Sequence, residues 1–180
     1  DDTEILVDEA LESIKDIKNP KVLDLCSGSG AIAVAIAKER TDAAVDAVEF
    51  YDDAYSYLVK NIKHNNACNV TPIKADALEF VGDYDLVVSN PPYIAESERK
   101  DLSKEVLSEP ETALFADDNG LKFYKKISDN FKINKKLTLI FEIGYKMKED
   151  IISILKNCNY SEIEAIKDFG GNTRVIKAKK

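Results

Sequence analysis

Short apolar runs alternate with longer amphipathic stretches through nearly all of this 180-residue chain, and that alternation leaves little choice of fold. Apolar runs at 21–26, 44–50, 69–75, 84–90, 136–144, 162–169 and 173–180 read as strands. Helical periodicity falls between them, at 3–17, 31–40, 54–66, 120–132 and 146–158, and the charged stretch 96–108 reads as loop and helix. In residues 3–17, for example, Leu6, Ala10, Ile14 and Ile17 share one face while Asp8, Glu9, Glu12, Lys15 and Asp16 lie between them. Parallel strands need a crossover, and a helix is the usual one. Strands and helices taking turns therefore predict an open, largely parallel sheet covered on both faces. Ligands of such sheets bind beyond the C-terminal ends of the strands, where strand order reverses.

No repeat or interdomain linker interrupts the pattern, and the chain is long enough to bury a core as one domain. No apolar run approaches the roughly 20 residues of a membrane span, and the acidic start DDTEILVDEAL is unlike a signal peptide. A cytoplasmic protein without membrane contact is expected. The net charge of −8 repels polyanions, so free DNA is not an expected partner. Cys26, Cys68 and Cys158 are scattered without metal-site or disulfide spacing, and they read as reduced thiols with no metal implied. The single histidine, His64, stands at the polar end of a helical stretch and reads as solvated.

DLCSGSGAIA (24–33) sets Gly28 and Gly30 at a strand-to-helix turn, where a missing Cβ lets backbone approach a ligand. Gly28, Gly30 and Ala33 satisfy the looser dinucleotide pattern G-x-G-x-x-A, so an NAD enzyme has to be weighed. Asp24 points elsewhere. A carboxylate at the end of the first strand suits an ammonium group better than a pyrophosphate, as S-adenosylmethionine would present. Glu49 follows at the end of the second strand, where a carboxylate can accept both ribose hydroxyls, and Asp76 follows the third, where it can accept an adenine amino group. Any one of these acids would serve equally as a helix cap, but three at successive strand ends form a pattern.

The fourth strand ends in Asn90-Pro91-Pro92-Tyr93. Residues before proline are held extended, and each proline fixes its own φ and lacks an N–H, so the turn presents rigid carbonyl acceptors. A planar amide or aryl amine is a poor nucleophile because its lone pair is delocalised. With the Asn90 side-chain oxygen and the Pro91 carbonyl each accepting one N–H, such a nitrogen would be oriented and its developing charge stabilised. Tyr93 would stack on the planar group or face a sulfonium, or else serve as a core tyrosine.

With these motifs, and with EPETAL (109–114), ADDNGL (116–121), EIG (142–144) and DFGGNTR (168–174), nearly the whole chain resembles the peptide chain release factor glutamine methyltransferases, the PrmC/HemK family. The resemblance implies a Rossmann-like class I methyltransferase domain spanning 1–180. Its sheet would be mostly parallel and seven-stranded, with helices on both faces and a C-terminal antiparallel strand. It implies S-adenosylmethionine held by Asp24, Cys26, Ser27, Gly28, Ser29, Gly30, Glu49, Asp76, Ala77 and Asn90. The implied partner is a release factor whose Gly-Gly-Gln glutamine amide meets Asn90, Pro91, Pro92 and Tyr93 and becomes N5-methylglutamine. The family's N-terminal helical domain is expected outside this chain. Cys26 stands where a glycine is common, and Met147 where a glutamine is frequent. The alternative is N6-adenine methylation of nucleic acid, with Tyr93 stacked on a flipped base, which the −8 charge disfavours.

Overall fold

Each apolar run folds as a strand whose successive side chains feed opposite faces of one sheet. The computed structural model describes residues 2–94, 97, 99 and 114–180. Its strands are β1 (Lys21–Leu25), β2 (Ala44–Glu49), β3 (Val70–Lys74), β4 (Leu86–Ser89), β5 (Thr138–Glu142), β6 (Ser161–Lys167) and β7 (Thr173–Lys179). The helices among the described residues are α1 (Asp2–Ser13), α2 (Ala31–Glu39), α3 (Asp52–His64), α4 (Lys122–Asn130) and α5 (Lys148–Asn157). The sheet order is β3-β2-β1-β4-β5-β7-β6. Strands β1 to β5 pair in parallel, whereas β7 runs antiparallel to both β5 and β6. The seven-stranded, mostly parallel sheet with an antiparallel C-terminal strand is therefore as expected.

The alternation of faces builds two cores. Val22, Leu86, Val88 and Ile140 pack with Leu6 of α1, Ile36 of α2 and Leu58 of α3. Their neighbours Leu23, Val87, Leu139 and Phe141 pack on the other face with Tyr124 and Ile127 of α4 and Ile151 of α5. Each such side chain stabilises the fold by roughly 1.5–3 kcal/mol, so strand register and helix placement reinforce one another.

Helix α1 ends at Ser13, short of the expected 17. Beyond it the chain continues in i→i−3 turns, Ile14 N–H to Leu11 and Ile17 N–H to Ile14, and the Arg40 guanidinium, distant in sequence, donates to the carbonyls of Ile14 and Ile17. Ile14 stays fully buried. The stretch 96–108 lies outside the described residues except for Ser97 and Arg99, and so does 109–113. Among the described residues, no helix is long and apolar enough to cross a membrane.

The chain runs outward from β1 to β3 and then returns to the other side of β1 with β4. Strand order thus reverses between β1 and β4, where Leu25 pairs with Ser89. The segments that come after Leu25 and Ser89 are the glycine turn and the Asn-Pro-Pro-Tyr turn.

Candidate active site

The turn after β1 is built almost entirely from local hydrogen bonds. Ser27 Oγ donates to the Asp24 carbonyl at 2.8 Å, and the Gly30 N–H donates to the Ser27 carbonyl at 2.8 Å. The Ser27 N–H donates across to Val48 at 3.0 Å. Cys26 adopts φ +60, a left-handed conformation that explains why a glycine is at home there. Gly30, at φ +83, is the N-cap of α2 and brings no side chain to cap it. Asp24 supplies the missing acceptor from β1: its Oδ2 takes the Ala33 N–H at 3.1 Å, satisfying an otherwise open donor of the first helical turn.

Asp24 is fully buried, and its Oδ1 has no hydrogen-bond partner among the described residues. Burial pushes this carboxyl up to about 7; the nearby Ser27 hydroxyl and the bond from the Ala33 N–H oppose the rise, and the Glu49 charge adds to it. Burial likewise pushes the Cys26 thiol up, helped by Glu49, so it stays protonated and is no nucleophile.

Glu49 joins the first two strand ends. Its Oε2 accepts the Gly28 N–H at 2.8 Å and its Oε1 the Tyr51 N–H at 2.8 Å, which holds the carboxylate in one orientation. Asp76 is similarly fixed, with Oδ1 accepting the Leu78 N–H at 2.8 Å. On the far side of β1, Ser89 Oγ donates to the Leu25 carbonyl at 2.7 Å and locks the end of β4 beside the glycine turn. Asn90 follows at once.

These strand ends open onto a cleft of about 750 Å³. Of the residues picked out in the sequence, Cys26, Gly28, Glu49, Asp76, Ala77, Asn90 and Pro92 line it. A Cβ built on Gly28 would meet no atom of the described residues within 4 Å, so among them this glycine leaves room on the cleft side. Asp24, Ser27, Ser29, Gly30, Pro91 and Tyr93 are not among the lining residues. Asp24 sits beneath the turn as a remote helix cap. A Cβ on Gly30 would stand 2.4 Å from Leu58 Cδ1, so this glycine admits α3 rather than a ligand. Ser27 and Pro91 are buried, and Ser29 is exposed with its carbonyl accepting Asn61 Nδ2 at 2.9 Å. Tyr93 is half-buried and packs against the α4–α5 core.

The opposite wall was not foreseen. It comes from Phe115 to Asn119, with Lys122 and Phe123 of α4. The ADDNGL motif lies here, and its Asp-Asn-Gly run was the available signal, since those residues favour left-handed turns. Among the described residues four carboxylates line the cleft, those of Glu49, Asp76, Asp117 and Asp118; Lys122 pairs with Asp117 at 2.8 Å and Lys125 with Asp118 at 2.6 Å, which leaves Glu49 and Asp76 as its acidic side. Such a lining favours a cationic ligand and opposes a pyrophosphate.

The protein-family model described as methyltransferase small domain matches residues 2–135. A release factor glutamine methyltransferase of Fusobacterium nucleatum is 40% identical over 99% of this chain and 52% of its own length. The enzyme of the same name from Salmonella typhimurium is 36% identical over 97% of this chain and 64% of its own. The chain thus spans about half to two thirds of these curated relatives. Among solved structures, the hMettl16 catalytic domain in complex with MAT2A 3'UTR hairpin 6 aligns with a TM-score of 0.79 at 17% identity, covering 99% of this chain and 70% of that one. TrmN from Thermus thermophilus aligns with a TM-score of 0.65 at 17% identity, covering 98% and 48%. These two likenesses establish the shared fold. Sheet order, a cleft at the reversal between β1 and β4, and the family match over most of the sequence lead to one conclusion: the chain belongs to the methyltransferase small domain family.

Proposed function

We propose that this chain transfers a methyl group from S-adenosylmethionine to the side-chain amide nitrogen of the Gly-Gly-Gln glutamine in a peptide chain release factor. The observation that carries the reading is the placement of Asn90 and Pro92 in the same acidic cleft as Glu49 and Asp76, at the strand-order reversal. The likeness to relatives named as release factor glutamine methyltransferases supports the choice of acceptor.

The residues present suit the methyl donor. A cationic sulfonium matches a cleft lined by carboxylates, and the bare side of Gly28 leaves space at the turn. Glu49, already oriented by two backbone donors, retains lone pairs for ribose hydroxyls, and Asp76 with Ala77 would meet the adenine. When bound, the cofactor supplies an electrophilic methyl group. Asn90 Oδ1 and the Pro91 carbonyl accept the two N–H groups of the glutamine amide. They orient its nitrogen and stabilise the positive charge that develops there. Proton loss follows once the nitrogen is alkylated, so no side chain of matched pKa is needed to begin the reaction.

The test is transfer of labelled methyl groups to purified release factor, beside a Gln→Ala variant of its Gly-Gly-Gln loop and beside duplex DNA. Label on the wild-type factor alone is the expected result. Label on DNA would replace this reading with N6-adenine methylation.

A further inference from the structure

The Asn-Pro-Pro-Tyr turn has a mechanical weakness. Pro91 and Pro92 donate no backbone hydrogen bond, so two of the four residues of the turn cannot hold it through an N–H group. The next residues of the chain and the segments packed on the turn add to its support. Ile94 is bridged to the far wall, its N–H donating to Leu114 at 2.9 Å and its carbonyl accepting the Ala116 N–H at 3.0 Å. Between these bonds and the prolines lies Tyr93, and two glycines close on it.

Asp118, Asn119 and Gly120 are left-handed in succession, with φ of 60, 54 and 81. This run turns the ADDNGL segment so that the Gly120 backbone lies directly on the Tyr93 carbonyl. A Cβ built on Gly120 would stand 2.0 Å from the Tyr93 carbonyl oxygen and 2.8 Å from its carbon. Gly144, from the EIG motif after β5, faces the ring of the same residue: its built Cβ would lie 3.2 Å from Tyr93 Cδ2 and 3.1 Å from Met147 Sδ. Neither glycine has a part in the chemistry proposed above. Resting on that reading, we infer that Gly120 and Gly144 are positioning residues forming a socket that sets where the acceptor-binding turn stands.

The socket is steric, so its consequence can be sized. Ordinary carbon contacts begin at 3.4 Å, and a methyl group on Gly120 therefore displaces the Tyr93 carbonyl or the Asp118–Gly120 segment by about 1.4 Å. A misplacement of about 1 Å at an orienting group costs on the order of 10²-fold in rate. At Gly144 the intrusion is a few tenths of an ångström against a ring edge and a flexible methionine, so the expected loss is a few-fold. Cofactor affinity changes far less than kcat in both, because Glu49, Asp76 and Ala77 lie on the other wall.

The experiment compares Gly120→Ala, Gly144→Ala and Gly171→Ala by kcat and KM on release factor, by calorimetric cofactor Kd, and by the Asn90 side-chain amide resonance. Gly171 is the control for backbone strain: its φ is 86, yet a Cβ there meets no atom of the described residues within 4 Å. The expected result is a kcat loss of about 10²-fold for Gly120→Ala and a few-fold for Gly144→Ala, with cofactor Kd within threefold and a shifted Asn90 resonance. Gly171→Ala keeps wild-type values. If Gly120→Ala does not fold, Gly144→Ala, whose backbone is not left-handed, decides alone by the same readouts. Wild-type kcat in both folded variants, or parallel losses of kcat and cofactor affinity, overturns the inference. If the wild-type chain methylates no release factor, the proposed function fails. The Asn90 resonance still decides the socket: a shift confined to the socket variants supports it, and none overturns it.

Discussion

Asp24 offers the sharpest test of the electrostatics, because its carboxyl is fully buried and, among the described residues, only one of its oxygens is hydrogen-bonded. Its folded value near 7 lies above the 3.8 it has when solvated. The folded state therefore holds a proton that the unfolded chain has released across that window. Stability is fully present below about pH 4 and is lost as pH rises through 7. At roughly 1.4 kcal/mol per pH unit the whole effect is about 4 kcal/mol, of which about 2.5 kcal/mol falls between pH 5 and pH 8. Asp24→Asn removes the titration while an amide oxygen remains to accept the Ala33 N–H. Urea unfolding of both proteins without cofactor, at steps from pH 5 to pH 8, isolates the term, since all other groups cancel in the difference. The variant should gain about 2.5 kcal/mol relative to wild type across that range. A difference independent of pH would refute the assignment of a protonated, buried Asp24.

Gly30→Ala should cost about 1–3 kcal/mol in the same unfolding assay, because it adds left-handed strain to a Cβ 2.4 Å from Leu58 Cδ1; a loss below about 0.5 kcal/mol would show that α3 yields freely. Cys26→Gly should keep stability within about 1 kcal/mol of wild type, since relief at φ +60 offsets the added chain entropy; a larger loss would mean that the thiol is needed for packing. Glu49→Gln should weaken calorimetric binding of S-adenosylmethionine at least about tenfold, the scale of a hydrogen bond to a charged group, with far-ultraviolet circular dichroism unchanged. Asn90→Ala should cut kcat by about 10²-fold or more while cofactor Kd stays within about tenfold; equal loss of both would remove Asn90 from the acceptor site.

Much of the architecture is written in local pattern. A strand needs only its alternating apolar residues and a helix its 3.6-residue stripe, and both are visible in windows such as KVLDL or YSYLVKNIKH without knowledge of neighbours. The two ends of the site were legible for the same reason. A glycine turn after an apolar run, and prolines after another, have conformational consequences that follow from covalent geometry alone. The path of the chain after α1 was not legible, because Arg40, which holds the carbonyls of Ile14 and Ile17, is remote in sequence.

The surroundings of each residue are a different kind of fact. Gly28 and Gly30 are two positions apart in one motif, yet one looks onto the cleft and the other onto Leu58 of α3. Asp24 reads as a ligand for an ammonium group, and the structure adds a task no local pattern shows, the capping of α2 through its Oδ2. The far wall joins residues beyond 114 to strand ends before 90, and the socket of Tyr93 takes one glycine from before α4 and another from after β5. By itself the sequence determined the elements, their handed alternation and the two rigid turns, because those depend on interactions a few residues long. Only the tertiary structure decided which side of each turn is open, since that is set by strand order and by side chains brought together from distant parts of the chain.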